Sequence, residues 1–168
     1  GRFMPQKNQT FLVDVLADLL PKRPDTMLAF VGDGPDKSAV QQHAIELGIA
    51  DHVLFLGQRS DVNRLYQAFD VFCLPSLYEG LGIVAVEAQV AGLPCLLSDA
   101  VPMEADVTTK SHFLQIADAK PWSEVLSNLT FPDRSGHVNG DIEEYDIEKQ
   151  AVNLLVKYKD LFKGIKKH

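Results

Sequence analysis

Cysteine is scarce in this sequence, with only Cys73 and Cys95 among 168 residues, each inside an apolar run. Thiols so few and so placed read as buried free cysteines, and they exclude a disulfide framework or a zinc site. Long hydrophobic runs are missing too. Apolar stretches such as Ile83 to Val86 and Leu93 to Leu97 stop far short of the ~20 residues a membrane helix needs. The opening Gly1-Arg2-Phe3-Met4-Pro5-Gln6-Lys7 lacks the apolar core and small-residue cleavage site of a secretory signal, so the expected compartment is the cytoplasm. Positive charge is in deficit: 16 Lys and Arg against 23 Asp and Glu leave a net −7. That balance argues against a nucleic-acid-binding surface or a polybasic membrane patch, but it leaves room for a local cationic pocket. Glycine and proline, 11 and 9 in number, are too few for a collagen-like or disordered chain. What remains is 46% hydrophobic and 23% charged, the make-up of one soluble domain with a sizeable core.

Short apolar runs alternate with helical patterns along the chain. Phe11, Leu12, Val15, Leu16, Leu19 and Leu20 recur at helical spacing until Pro21 and Pro24 end the segment, predicting a helix from Thr10 with one buried face. Met27 to Val31 reads as a buried strand closed by Gly32-Asp33-Gly34-Pro35. A helix over about 36–47 follows, with Gly48 as its stop. His52 to Gly57 is the next strand, Asp61 can cap a helix carrying Val62, Leu65 and Phe69, and Val71 to Leu74 is a strand stopped by Pro75. A helix from Gly82 to Ala91, ended by Gly92, leads to strand Cys95 to Leu97. Beyond Asp99 the pattern predicts a strand at His112 to Ile116, a helix from Pro121 through Leu129, a loop at Thr130 to Gly140, and a last helix with the stripe Ile147, Ala151, Leu154, Leu155, Tyr158 and Phe162. Such alternation is the signature of an α/β fold: a doubly wound, Rossmann-like parallel sheet with helices on both faces.

The segment Pro75-Ser76-Leu77-Tyr78-Glu79-Gly80-Leu81-Gly82 joins a strand end to a helix start. In a doubly wound sheet ligands bind outside the carboxyl ends of strands, where the free amides of a helix start favour a phosphate. Gly80 and Gly82 would let backbone approach such a ligand; a plain turn is the simpler reading of a Gly-x-Gly pair alone. Glu87 stands on a helix otherwise made of Ile83, Val84, Val86, Val90 and alanines. A carboxylate there is expected to be buried and therefore partnered, by an internal donor or by the two hydroxyls of a ribose. Glu79 can reach another hydroxyl from the loop, although a lone loop acid is more often just solvated. Arg2 and Lys7, just before the first helix, can make a diphosphate grip in which Arg binds two oxygens at once, although two basic residues near a terminus are, taken alone, more often just solvated. Gly32 and Gly34 either shape the floor of the cleft or simply close the strand.

These pieces together resemble the C-terminal domain of the family 4 (group 1) glycosyltransferases, enzymes of the GT-B fold. The resemblance runs over about 1–116, with the final helix also fitting. It rests on Gly1-Arg2 with Lys7-Asn8, Gly32-Asp33-Gly34-Pro35, Phe55-Leu56-Gly57, the glutamates Glu79 and Glu87 with seven residues between them, and Ala91-Gly92-Leu93-Pro94. Within the family the look is of bacterial exopolysaccharide or capsule transferases. The resemblance implies that Arg2 and Lys7 hold the donor diphosphate, Glu87 the nucleotide ribose and Glu79 the sugar hydroxyls. It implies amides of Gly80, Leu81 and Gly82 on phosphate or sugar, and Gly57, Gln58 and Arg59 near the base, Arg59 through its backbone. The implied reaction moves a sugar from a nucleotide diphosphate sugar, with a UDP-sugar favoured, to the hydroxyl of a saccharide or lipid-linked saccharide acceptor, with retention at the anomeric carbon.

No Asp-x-Asp pair occurs in the chain, so neither a metal nor another cofactor is expected. The family carries a further α/β domain before this one, which supplies the acceptor site. The implied partner of residues 1–168 is therefore that N-terminal domain of the same enzyme. The full-length protein would be cytoplasmic, with a peripheral place at the inner face of the membrane, and this part alone would show little or no transferase activity. Gly1-Arg2 matches the end of the family's first strand in this domain, which doubly wound order makes central. Three rival readings are a nicotinamide-dependent oxidoreductase, a non-catalytic nucleotide-binding module and a GT-B UDP-sugar epimerase. For the first, Lys37 stands where the dinucleotide fingerprint needs its third glycine.

Overall fold

In a computed structural model of the chain, the structure describes residues 1–130. Ten elements alternate along them: α1 (Gln9–Leu19), β1 (Leu28–Phe30), α2 (Lys37–Glu46), β2 (Val53–Phe55), α3 (Val62–Ala68), β3 (Phe72–Leu74), α4 (Ile83–Val90), β4 (Cys95–Ser98), β5 (His112–Leu114) and α5 (Lys120–Asn128). Each coincides with an element predicted from the sequence, usually shorter by one or two residues at an end. The final predicted helix and nearly all of the Thr130 to Gly140 loop lie outside the described residues.

Every strand pairing is parallel, as expected of an α/β fold. The pairing differs from the single sheet anticipated, however. β1 pairs with β2, Ala29 opposite Leu54. Separately, β3 pairs with β4, Cys73 opposite Leu96, and β4 with β5, Leu97 opposite Phe113. The described residues therefore hold a two-stranded and a three-stranded sheet. The reason is that no strand among them lies between β1 and β3. Gly1 to Phe3 runs beside the end of β1 without forming a strand: the Gly1 amine donates to the Val31 carbonyl at 2.5 Å and the Phe3 amide to that of Asp33 at 3.0 Å.

Strand β4 is buried along its whole length, and its alternating side chains define two apolar layers. Leu96 points into a core built from Phe11, Leu16, Val40, Trp122 and Leu126. Cys95 and Leu97 point the other way, among Tyr66, Leu74, Ala85, Ala88 and Leu93. In the first layer α1 packs against α5 and α2, with Phe11 meeting Trp122 edge-on at 5.4 Å between ring centres, a favoured aromatic geometry. Small Ala85 and Ala88, both 0% exposed, let α4 sit closely on β3 and β4.

Glycine is required where β1 ends. A Cβ on Gly32 would stand 1.9 Å from the Gly1 carbonyl oxygen, and one on Gly34 2.2 Å from that of Phe3. Between the two readings left open for these glycines, the geometry favours a structural role, in which they let the Gly1–Phe3 backbone pass close beside β1.

Candidate functional site

Four segments converge beyond the carboxyl ends of the strands: Gly1 to Lys7, the stretch Gly57 to Arg59 after β2, the loop from Pro75 to Gly82 after β3, and the helix α4. The first and third are stitched together. Gln6 donates from Nε2 to the Tyr78 carbonyl at 2.8 Å, and the Leu77 amide donates to the Gln6 carbonyl at 2.8 Å. Lys7 then reaches Glu79, Nζ to Oε1, at 2.5 Å. Ser76, fully buried, donates to the same oxygen at 2.6 Å. Its own carbonyl accepts from Ser98 Oγ at 2.5 Å, which ties the loop to the end of β4. Glu79 is thus far from a lone solvated loop acid: only 8% of its side chain is exposed. Both bonds fall on Oε1, which leaves Oε2 for another partner.

Glu87 departs from expectation. Its residue is exposed rather than buried, because α4 turns Ala85, Ala88 and Gln89 inward and Glu87 outward onto the wall of a cavity of about 1630 Å³. Tyr66 on α3 donates from its hydroxyl to Glu87 Oε2 at 3.1 Å, while the Val84 carbonyl lies 3.3 Å from that hydroxyl. Burial, and next the Glu87 charge, push the Tyr66 phenol well above its ordinary range, so it stays a donor at neutral pH.

Arg2, Lys7, Gln58, Arg59 and Glu87 all line this one cavity. The sequence separates them by up to eighty-five residues, and the fold gathers them at one mouth. Gly57, Glu79, Gly80, Leu81 and Gly82 do not line it. Glu79 touches it through Lys7, and Gly57 is spent on structure, its carbonyl accepting from the Gly32 amide at 2.7 Å. Gly82 precedes the first turn of α4 with a left-handed φ of +76°, and the first amides of a helix have no partner within it. Arg2 is exposed and forms no ion pair among the described residues, while its carbonyl is held by Gln9 Nε2 at 2.8 Å. Arg59 instead closes on Asp61 with two bonds of 2.8 Å each. Among the described residues no group of three metal-ligating side chains occurs.

Reading the sequence missed Ser76, Tyr66 and Gln6, which hold the two glutamates and the loop. Ser76 was findable as the first hydroxyl after a strand end; Tyr66 gave no local signal, since an aromatic residue on a helix looks like core.

The group called "Glycosyl transferases group 1" matches residues 1–119. The protein named as glycosyltransferase EpsF in Bacillus subtilis (strain 168) is 41% identical over 106 residues, covering 63% of this chain and 28% of EpsF. An Escherichia coli UDP-Gal:alpha-D-GlcNAc-diphosphoundecaprenol alpha-1,3-galactosyltransferase is 34% identical over 102 residues, 59% of this chain and 26% of that enzyme. The chain thus spans little more than a quarter of these relatives. Among solved structures, Anabaena Alr3699/HepE in complex with UDP superposes with a TM-score of 0.67 at 25% identity, covering 75% of this chain and 36% of that one. With the match running through all four converging segments, the chain belongs to the group 1 glycosyl transferases, enzymes of the GT-B fold.

Proposed function

We propose that residues 1–168 form the donor-binding, C-terminal domain of a retaining glycosyltransferase of polysaccharide biosynthesis, which takes its sugar from a UDP-sugar. The gathering of Arg2, Lys7 and Glu87 at one cavity mouth carries the reading, since it joins two cations to an acid that can take two hydroxyls. Arg2 binds diphosphate oxygens through its planar fork. Lys7 has three donors and gives one to Glu79, which leaves two for phosphate. Glu87, steadied by Tyr66, accepts the ribose hydroxyls, and Glu79 Oε2 accepts from the transferred sugar. The amides of Gly80, Leu81 and Gly82 serve phosphate or sugar from the loop, and Gly57, Gln58 and Arg59 border the base.

The chemical demand is charge. As the bond from the anomeric carbon to the diphosphate oxygen breaks, negative charge grows on the leaving group. Arg2, Lys7 and the start of α4 stabilise it in this reading, and the acceptor hydroxyl oxygen forms the new bond on the same face as its proton passes to the departing diphosphate oxygen. The acceptor is a saccharide or lipid-linked saccharide hydroxyl presented by an N-terminal domain of the same enzyme. A cytoplasmic setting, peripheral to the membrane, suits such an acceptor; no helix among the described residues is long and apolar enough to cross a membrane.

Titration calorimetry with UDP on this chain tests the reading. UDP should bind, and Arg2→Ala or Glu87→Gln should each weaken it about tenfold, the loss of one charge-assisted contact of ~1.5 kcal/mol. Unchanged affinity in both variants would sink the assignment, and tighter binding of a nicotinamide dinucleotide than of UDP would replace it. UDP binding without sugar transfer once the acceptor domain is joined would leave a non-catalytic module.

A further inference from the structure

A line of hydrogen bonds runs from the end of β4 to the loop carboxylate. Ser98 donates from Oγ to the Ser76 carbonyl at 2.5 Å, and Ser76 donates from its own Oγ to Glu79 Oε1 at 2.6 Å. Both serines are 0% exposed, and Glu79 shows 8% of its side chain. A buried hydroxyl needs a partner, and most side-chain hydrogen bonds go to backbone or water. Ser76 gives its proton to a carboxylate instead. Lys7 meets the charge of that carboxylate on the same Oε1, at 2.5 Å. The two donors differ in kind. Lys7 carries a point charge on a flexible four-carbon stem, and 21% of its side chain is exposed. Ser76 moves its oxygen about one torsion only. Its backbone is held at the carbonyl by Ser98, and one residue later by the Leu77 amide on the Gln6 carbonyl at 2.8 Å. The serine, rather than the lysine, therefore fixes where Glu79 Oε2 points.

We propose that Ser76 is a positioning residue for donor selection: it keeps Glu79 aimed when a donor diphosphate draws the Lys7 ammonium away, so that Oε2 reads one hydroxyl of the transferred sugar by its direction. The inference rests on the donor-binding reading above and adds to it a group that touches neither nucleotide nor sugar. Ser76 is fully buried and does not line the cavity, so its hydroxyl acts only through the carboxylate. Phosphate oxygens compete for the three donors of an ammonium. They do not reach a hydroxyl enclosed behind the loop. With Lys7 shared, the Ser76 bond is the one that still holds Oε1. A carboxylate held at one oxygen presents the other along a narrow set of directions. Two hexoses that differ at one carbon offer the hydroxyl along different ones, and a site built to bond a hydroxyl discriminates against the sugar that lacks it there.

Titration calorimetry of this chain tests it, with UDP and with two epimer pairs: UDP-glucose and UDP-galactose, and UDP-N-acetylglucosamine and UDP-N-acetylgalactosamine. The parent should bind one of these UDP-sugars more tightly than its epimer and than UDP. Ser76→Ala should leave the Kd for UDP within ~2-fold, weaken the preferred UDP-sugar ~5-fold and bring it close to its epimer. In a Glu79→Gln background Ser76→Ala should cause no further loss, because the serine acts through that carboxylate. If Ser76→Ala fails to fold by circular dichroism, Ser76→Cys takes its place, similar in size and only a weak donor. A merely structural serine would lower Tm and weaken UDP and every UDP-sugar alike, and that outcome overturns the proposal. So does an unchanged epimer preference in the folded variant, an additive loss in the Glu79→Gln background, or a parent that prefers neither epimer of either pair. UDP failing to bind the parent overturns the donor-binding reading together with this inference, whereas UDP binding with a preference indifferent to Ser76 overturns this inference alone.

Discussion

Tyr66 shows how one side chain serves two ends of the molecule. Its ring meets Phe72 edge-on at 6.1 Å and is part of the core beneath α4, while its hydroxyl holds Glu87. The ring does the packing and the hydroxyl does the orienting, so the two roles separate in Tyr66→Phe. That variant keeps the packing and releases one oxygen of a carboxylate that is exposed in any case. UDP affinity should fall about fivefold, the worth of ~1 kcal/mol of positioning, with Tm nearly unchanged. A Tm loss as large as the affinity loss would make the hydroxyl structural, and unchanged affinity would remove Tyr66 from the site.

At the scale of the element, α4 was the helix most misjudged by composition. Its apolar residues predicted that Glu87 would be the enclosed polar group, yet Gln89 is the one at 1% exposure. Two positions apart on a helix is a turn of about 200°, so a burial assigned one face wrongly exchanges the two side chains. Gln89 is fully employed: Nε2 donates to the carbonyls of Ala85 and Ala105, at 3.0 and 2.6 Å, and Oε1 accepts from the Thr108 amide and hydroxyl. It thereby ties α4 to the segment from Ala105 to Thr108, through contacts that lie 16 and 19 residues along the chain and leave no trace in local periodicity. Gln89→Leu keeps the volume and strands a buried amide and carbonyl. The expected loss is about 2 to 4 kcal/mol in urea unfolding; a loss below ~0.5 kcal/mol would mean that water or backbone takes over the pairing. The strands, by contrast, were legible throughout, because Val53 to Phe55 or Cys95 to Leu97 are apolar runs bounded by glycine or proline.

For the whole molecule, alternation of element types made the parallel α/β class legible, and the motif segments singled out residues of which Arg2, Lys7, Gln58, Arg59 and Glu87 line one cavity. The order of pairing was not, because a gap between β1 and β3 depends on which edges meet, and no residue pattern encodes that. The same core sets a pH response. Burial pushes the Cys73 thiol up to about 12 and raises that of Cys95 further still, the latter also feeling Cys73 and Asp106. In the unfolded chain both ionise near the ordinary thiol value of 9.0. Above that value the unfolded state sheds protons that the folded state keeps, so stability is fully present below about pH 9 and declines as pH rises toward 12. Cys95, 0% exposed, carries the larger part; Cys73 is half-buried and borders the cavity, where water tempers its share. Urea midpoints taken from pH 7.5 to 10.5 should fall, and Cys95→Ala, though less stable at neutral pH, should flatten the decline. Parallel pH profiles for parent and variant would show that the alkaline loss arises elsewhere, in the buried Tyr66 phenol or in the surface lysines.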